Sequence, residues 1–114
     1  MNTSEFTATI QKTPEKIAFT DTIAVIEANY TYTPTAFTNG ETENAAGTNA
    51  GSCKLFAFAM LQGFDQATTL ACFGDYYRKD VLENPTGTDH ANIRNFMRFG
   101  WDALSFEGEA LAAK

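Results

Sequence analysis

The sequence predicts an α+β fold: a single, mainly helical domain of about five helices with a small two- or three-stranded antiparallel sheet. Residues 52–64 are apolar on nearly every side of a helical wheel, which is typical of a buried helix. The second half of the chain repeats apolar residues at helical spacing, whereas segment 30–38 alternates threonine with aromatic residues, as strands do. With 114 residues, the chain has the usual length of one domain.

Two short helices are predicted before residue 30. Phe6 and Ile10 are four residues apart and share one helix face, and the proline that follows cannot continue a helix. A second helix is predicted over residues 22–29, with Thr20 or Asp21 as its N-cap. Both helices should bury one apolar face against the rest of the domain.

Segment 52–64 is predicted to be the central helix of the fold. Its sequence, SCKLFAFAMLQGF, is interrupted by polar side chains only at Lys54 and Gln62 after its first residue. Ser52 is a favourable N-cap, and Gly63 is a favourable C-terminal stop. The pattern therefore places most of this helix in the core.

Two further helices and a strand are predicted after the central helix. Asp65 is expected to cap a long helix over residues 66–82, and Asp89 is expected to cap another that ends near Phe99. Residues 103–107 are predicted to form a strand that pairs with the earlier alternating segment.

Residues 38–51 are predicted to be a mobile polar loop inside the single domain 1–114. The segment TNGETENAAGTNAG is rich in Asn, Gly and Glu and contains no large apolar side chain. Because neither flanking part is long enough for an independent core, it is not expected to link two domains.

The charge balance argues against nucleic acid as a partner. The chain has 14 acidic and 8 basic residues and a net charge of -6, whereas nucleic-acid binding usually needs a basic face. The longest apolar run, residues 55–61, is far shorter than the ~20 residues of a membrane-spanning helix, so no membrane insertion is expected. Cys53 and Cys72 form no CxxC motif, and we expect reduced thiols in a cytoplasmic, monomeric protein.

The start of the central helix is a candidate site for an anionic group. GTNAGSCK, residues 47–54, combines glycines, a helix start and Lys54, but its spacing differs from that of a phosphate-binding Walker loop. The N–H groups at a helix start can still bind a carboxylate or a phosphate. The alternative is that Asn49 and Ser52 simply satisfy the end of the helix.

A second candidate is a stripe of cationic and aromatic side chains on the helix after Asp89. The only histidine, His90, precedes residues that recur on nearly the same helix face: Arg94, Arg98 and Trp101. Arginine forks beside an aromatic surface suit an anionic small molecule or an acidic peptide. The alternative is that the arginines pair with neighbouring carboxylates while the tryptophan seals the core.

A third candidate is a polar and aromatic stretch of the long predicted helix, formed by Asp75, Tyr76, Tyr77 and Arg78. Carboxylate, phenol and guanidinium groups in one place are compatible with acid–base chemistry. They are equally typical of a helix rim whose long side chains cover the core and keep their polar tips in water.

A catalytic set of Cys72, His90 and Asp75 is conceivable from residue types alone, because the helical wheel points Cys72 outward. No sequence feature places its members within hydrogen-bond distance of one another. The sequence contains no HExxH motif and no Asp-rich metal loop, so we expect neither a metal site nor a cofactor.

Several long and unusual runs resemble the HopJ type III effector family, which includes the HopPmaJ-like proteins. These runs follow the family's order over nearly the whole chain: YTPTAFTNG (32–40), GSCKLFAFAMLQG (51–63), TLACFGDYYRKDVL (69–82) and GTDHANIRNFMRFGW (87–101). The resemblance implies a bacterial protein that, as the family name says, can be secreted by a type III system. It implies no catalytic residue, cofactor or binding residue.

Combined with the residue patterns, the resemblance favours a small non-enzymatic binding or interaction module whose partner is an unknown protein or a small anionic ligand. Two alternatives stay open: a housekeeping cytoplasmic protein that binds a small anionic ligand, and an uncharacterised enzyme. The N-terminal MNTSEFTATIQKT is Thr-rich, as type III signals often are, although Phe6 and Ile10 also suit a docked helix.

Overall fold

A computed structural model describes residues 2–114 of the chain. In this part of the chain the structure has five α-helices and a π-helix: α1 (Thr3–Lys12), α2 (Phe19–Asn29), α3 (Ala50–Gln62), α4 (Gln66–Ala71), the π-helix (Tyr76–Val81) and α5 (Ala91–Phe99). It has five short strands: β1 (Tyr30–Tyr32), β2 (Phe37–Asn39), β3 (Thr42–Asn44), β4 (Leu104–Phe106) and β5 (Leu111–Ala113). Short 3₁₀ helices lie at Pro14–Lys16 and Trp101–Ala103.

The strands of residues 2–114 form two small antiparallel sheets, β1–β5 and β3–β2–β4. In the second sheet Phe37 of β2 pairs with Asn44 of β3 on one side and with Phe106 of β4 on the other. The predicted α+β class is therefore confirmed, and the predicted strand near residues 103–107 is present. The C-terminal strand β5, which pairs with β1, was not predicted.

Helix α3 is the centre of the core, as its apolar sequence predicts. Phe56 is fully buried, and its ring contacts the rings of Phe37, Phe73 and Phe96 at centroid distances of 6.2, 5.4 and 4.9 Å. These partners belong to β2, to the turn after α4 and to α5. Packing on α3 therefore holds the two halves of the chain together. None of the described helices is both long and apolar enough to cross a membrane.

The N-terminal helices form where the sequence predicts them, but α2 begins earlier. Phe6 and Ile10 of α1 are buried. Helix α2 begins at Phe19 instead of near residue 22, and its N-cap is Ala18. Asp21 is the third residue of the helix, and its carboxylate accepts a hydrogen bond from the Ala18 N–H at 2.9 Å. The acidic side chain therefore stabilises the helix start from within the first turn.

The prediction of one long helix over residues 66–82 is wrong, because the helix is interrupted around Gly74. Asp65 caps α4 as predicted, but α4 ends at Ala71 and the chain continues into the π-helix. Gly74 has φ +63°, and a Cβ at this position would lie 2.7 Å from the backbone nitrogen of Phe19. The close approach of the α2 start and the left-handed backbone both require glycine here.

The prediction of a loop over residues 38–51 is also wrong for most of that segment. Strands β2 and β3 form a hairpin there, and α3 already begins at Ala50. Asn39 and Asn44, two polar residues of that predicted loop, are buried. The amide nitrogens of both side chains donate hydrogen bonds inside the domain, which offsets part of the cost of burying them. The amide oxygen of Asn39, by contrast, is buried without a hydrogen-bond partner among the described residues.

Candidate functional site

A cavity of about 350 Å³ opens where α3 and α5 begin. We call it the helix-start cavity and define it by its lining residues: Phe19, Asn49, Gly51, Ser52, Phe73, Tyr76, His90, Ala91, Asn92 and Ile93. Seven of these ten residues belong to the N-cap or first turn of one of the two helices. The other three are aromatic, so the lining combines polar helix starts with aromatic side chains.

Both helix starts leave backbone N–H groups at the cavity. The N-caps are Asn49 and His90, with left-handed φ values of 50° and 51°, and neither makes a side-chain capping hydrogen bond in the described structure. The first backbone bonds back to these caps are donated by the N–H groups of Cys53 and Arg94. The preceding N–H groups have no acceptor within their own helix, because such groups never do. The prediction of Ser52 and Asp89 as N-caps is wrong, because Asn49 and His90 hold these positions.

A second cavity of about 320 Å³ adjoins the first. We call it the Arg78 cavity, and its lining residues are Glu15, Lys16, Ile17, Ala18, Phe19, Thr20, Phe73, Asp75, Tyr76 and Arg78. The two cavities share the aromatic residues Phe19, Phe73 and Tyr76. These three side chains therefore form the partition between them.

Tyr76 is the most exposed part of that partition, at 45%. Its ring lies 5.3 Å from the ring of Phe19 and 5.3 Å from the ring of His90, measured between centroids. Tyr76 is the first residue of the π-helix. Helices of this type are rare and occur often at functional sites.

His90 lies between two carboxylates at the rim of the helix-start cavity. Its Nε2 is 3.1 Å from Oδ2 of Asp80 and 3.9 Å from Oδ2 of Asp89. The Asp80 contact comes from the π-helix and fixes the orientation of the imidazole. The same ring contacts Tyr76, so it is held from two directions.

Arg94 does not face the helix-start cavity. Its guanidinium donates to Oδ1 of Asp89 at 2.8 Å, and further bonds reach the carbonyl oxygens of Asp89 and Asn84 at 2.6 and 3.0 Å. The hydrogen bond from Arg94 holds the pKa of Asp89 below its usual value. Arg94 thus fastens the loop that precedes α5.

The other members of the predicted stripe are also engaged elsewhere. The Arg98 guanidinium lies 5.1 Å from the ring centroid of Phe99. Trp101 donates from Nε1 to the carbonyl oxygen of Phe64 at 3.0 Å and packs edge-on against Phe96. The structure therefore brings only His90 of this stripe to the helix-start cavity.

Lys54 lies on α3 but outside both cavities. Its Nζ is 3.8 Å from a carboxylate oxygen of Glu27 and 4.9 Å from the ring centroid of Tyr32. This part of the sequence therefore contributes the first residues of α3 to the helix-start cavity, but not the lysine.

The polar stretch at the π-helix divides among different roles. Arg78 donates to the carbonyl oxygens of Pro14 and Ile17 at 3.1 and 2.6 Å, and its guanidinium lies 3.6 Å from a carboxylate oxygen of Asp75. Tyr77 is half-buried and packs against the core. Asp75, Tyr76 and Arg78 therefore line the Arg78 cavity, whereas Tyr77 does not.

Cys72 cannot act as an accessible nucleophile. It is fully buried, so the outward orientation predicted from the helical wheel is wrong. Burial raises the pKa of its thiol to about 12, which disfavours the reactive thiolate. Among residues 2–114, no group of three or more His, Cys, Asp and Glu side chains is arranged to hold a metal ion.

Comparison with known proteins identifies the family of this chain. The family model described as HopJ type III effector protein matches residues 3–111. The chain belongs to the HopJ family. The HopJ chain also resembles a solved structure described as the crystal structure of the unknown-function protein VPA0580, with 54% sequence identity and a TM-score of 0.99, covering 100% of this chain and 95% of that one. No curated protein matches.

The HopJ chain contains a buried amide network beside the cavity that the sequence patterns did not reveal. Asn44 accepts hydrogen bonds from Asn49 and Asn92, which line the helix-start cavity. Asn39 and Asn92 lie in the runs that resemble the family, whereas Asn44 and Asn49 lie in the polar segment between two of those runs. Because asparagine is also common in turns, the composition of residues 38–51 predicts a loop and not a buried network.

Proposed function

We propose that this HopJ chain is a small non-enzymatic binding module that holds an anionic group of a small ligand in the helix-start cavity. The observation that carries the proposal is the opening of two helix N-termini into one cavity that also contains an imidazole and three aromatic side chains. Helix starts favour negative charge, because their N–H groups and the helix dipoles point at the ligand.

The shape and lining of the cavity support a small ligand. Its volume of about 350 Å³ lies within the ~300–1,000 Å³ usual for small-molecule sites. Phe19, Phe73 and Tyr76 add apolar surface beside the polar helix starts, so a ligand with an anionic group and a flat or apolar body would meet complementary groups in one cavity.

The charges near the cavity set a condition on the ligand. Asp80 and Asp89 lie beside His90, and their negative charge opposes an anion placed on the outer side of the imidazole. An anionic group is therefore better accommodated toward the N–H groups of α3 and α5 than toward the solvent-exposed rim. The net charge of -6 does not conflict with this, since backbone dipoles act locally.

A pair of variants at Ser52 tests the proposal. Ser52 is in the first turn of α3 and lines the cavity. Ser52→Glu places a carboxylate where the ligand's anionic group would bind, whereas Ser52→Gln has similar size without charge. The probes are inorganic phosphate, pyrophosphate, citrate and adenosine monophosphate, each added to the protein in a thermal unfolding assay.

The expected result is that at least one probe raises the unfolding temperature of the wild type and of Ser52→Gln, but not of Ser52→Glu. A ligand present at 100 times its dissociation constant adds about 2.7 kcal/mol of stability. The proposal is wrong if none of the probes stabilises the wild type, or if Ser52→Glu responds as strongly as Ser52→Gln.

The family membership supports a second proposal, that the chain is exported by a type III system as its family description says. A reporter for translocation into host cells, fused after residue 50, tests this in a bacterium with an active secretion system. Transfer that disappears in a secretion-deficient strain supports export. Failure to transfer, while an established effector fused to the same reporter is transferred, contradicts it.

A further inference from the structure

We infer that Asn44 is a positioning residue of the helix-start cavity, because its one side chain ties the start of α3 to the start of α5. The inference rests on the proposed function for its effect on ligand binding. The tie itself rests on contacts between three elements, β3, α3 and α5.

The amide oxygen of Asn44 is shared by the two helix starts. Its Oδ1 accepts a hydrogen bond from Nδ2 of Asn49 at 2.7 Å and from Nδ2 of Asn92 at 3.0 Å. Asn49 is the N-cap of α3, and Asn92 is in the first turn of α5. Both donors line the cavity, whereas Asn44 does not. Asn44 therefore acts on the cavity through its neighbours.

The amide nitrogen of Asn44 makes longer hydrogen bonds to two further groups. Its Nδ2 donates to Oδ1 of Asn92 at 3.2 Å and to the carbonyl oxygen of Phe37 at 3.4 Å. Asn44 and Asn92 are only 3% and 6% exposed. Because buried amides are costly without partners, few other arrangements of these side chains are favourable.

The hairpin supplies a second contact to the same helix start. The buried Asn39 donates from Nδ2 to the backbone oxygen of Asn92 at 2.8 Å. The hairpin is itself fixed by the pairing of β2 with β3 and β4. The first turn of α5 is therefore anchored to a sheet, and Asn44 extends that anchor to α3.

Such an anchor matters for a ligand that contacts both helix starts. If the two sets of N–H groups are already placed for one anionic group, little ordering remains to be done on binding. Removing the tie leaves each helix intact but lets their starts move relative to each other. The expected effect is weaker binding with the cavity-lining residues unchanged.

Asn95 offers a matched control on the same pair of elements. From α5 it donates to the hydroxyl of Thr42 at 2.8 Å and accepts from the N–H of Glu41 at 3.2 Å. Asn95→Ala therefore removes side-chain hydrogen bonds between α5 and the hairpin, as Asn44→Ala does. Only Asn44→Ala also releases Asn49, and with it the start of α3.

The test is calorimetric titration of inorganic phosphate into the full chain and both variants, with NMR of the asparagine side-chain amides. We expect Asn44→Ala to weaken phosphate binding by about tenfold, which corresponds to 1.4 kcal/mol, and Asn95→Ala to weaken it by less than about twofold. Equal weakening in the two variants would overturn the inference, because it would assign the effect to general loss of structure.

The NMR measurement separates this inference from the proposed function. The side-chain amide signals of Asn49 and Asn92 should both shift in Asn44→Ala and both stay in place in Asn95→Ala, with or without phosphate. If the wild type does not bind phosphate but these signals behave as expected, the tie stands and phosphate is excluded as the ligand. If the Asn49 signal is unchanged in Asn44→Ala, Asn44 does not position α3, whatever binds.

Discussion

The ring of Tyr76 lies 5.3 Å from the ring of His90, although the two residues belong to different helical elements. Tyr76 begins the π-helix, and His90 is the N-cap of α5. The contact joins the partition between the two cavities to the rim of the helix-start cavity. It depends on the break at Gly74, because a continuous helix through this position would carry Tyr76 in a different direction.

Replacing Gly74 should therefore destabilise the protein more than replacing a glycine whose added methyl group would lie in open space. Gly74→Ala puts a Cβ 2.7 Å from the Phe19 backbone nitrogen in a left-handed conformation. Gly63→Ala is the matched control, since Gly63 also has a positive φ, +71°, but a Cβ there meets no atom within 4 Å. We expect the control to lose ~1 kcal/mol of unfolding free energy and Gly74→Ala to lose ~1–3 kcal/mol more from the clash.

Urea denaturation of the two variants measures the difference. Equal losses in Gly74→Ala and Gly63→Ala would mean that the start of α2 yields to the added methyl group, and that the close approach at Gly74 is unimportant for the fold.

The helices of the core could be predicted from the sequence because their signals are local. The apolar run of α3 and the caps or stops at Asp65 and Gly63 depend on neighbouring residues in the chain. The break at Gly74 could not be predicted in this way. Its cause is the approach of Phe19, which is distant in sequence, and a glycine inside a helical pattern is often tolerated.

The site could be predicted only in part, for a related physical reason. His90, Tyr76 and the start of α3 were all candidates, and the structure brings them together at one cavity. Arg94 and Arg98 were expected beside His90 because they share a helix face with it. That spacing describes the helix surface but not the loop carboxylate and carbonyl groups that bind Arg94.

Arg78 should contribute substantially to stability, whereas Arg98 should not. The Arg78 guanidinium donates hydrogen bonds to the carbonyl oxygens of Pro14 and Ile17. These bonds connect the segment before α2 to the π-helix. Arg78→Ala leaves these carbonyls without a charged donor, and we expect a loss of ~2–3 kcal/mol in unfolding free energy. Arg98→Ala, at an exposed helix position, should change it by less than ~0.5 kcal/mol. A loss below 1 kcal/mol for Arg78→Ala in chemical denaturation would show that water replaces the guanidinium readily.

The thiols should be unreactive in the folded protein. Cys53 and Cys72 are both fully buried, and burial raises the pKa of each thiol, that of Cys72 to about 12. A thiol reagent such as 5,5′-dithiobis(2-nitrobenzoate) should therefore label neither cysteine of the native protein at pH 8 and both after denaturation. Rapid labelling of Cys72 in the native state would reopen the possibility of a catalytic cysteine.

The Asp89–Arg94 contact should make stability sensitive to acid. Because Arg94 lowers the pKa of Asp89 in the folded state, the contact stabilises the protein fully above the unfolded aspartate value of about 3.9. This contribution is lost as the pH falls through the lower, folded value. The wild type should thus lose more stability than Asp89→Asn when the pH is lowered from about 5 to about 2.5. Thermal unfolding of both proteins at each pH measures the loss. An equal loss of stability in the wild type and in Asp89→Asn would contradict this assignment.

The most direct test of the binding proposal is a map of backbone amide shifts during a titration of the ¹⁵N-labelled protein with inorganic phosphate. The largest shifts are expected at the residues whose first-turn N–H groups belong to the helix-start cavity: Gly51, Ser52, Ala91, Asn92 and Ile93. Smaller changes should appear at Arg98, outside that cavity. Shifts centred on Arg94 and Arg98, or no shifts at all, would contradict the claim that the two helix starts form the binding site.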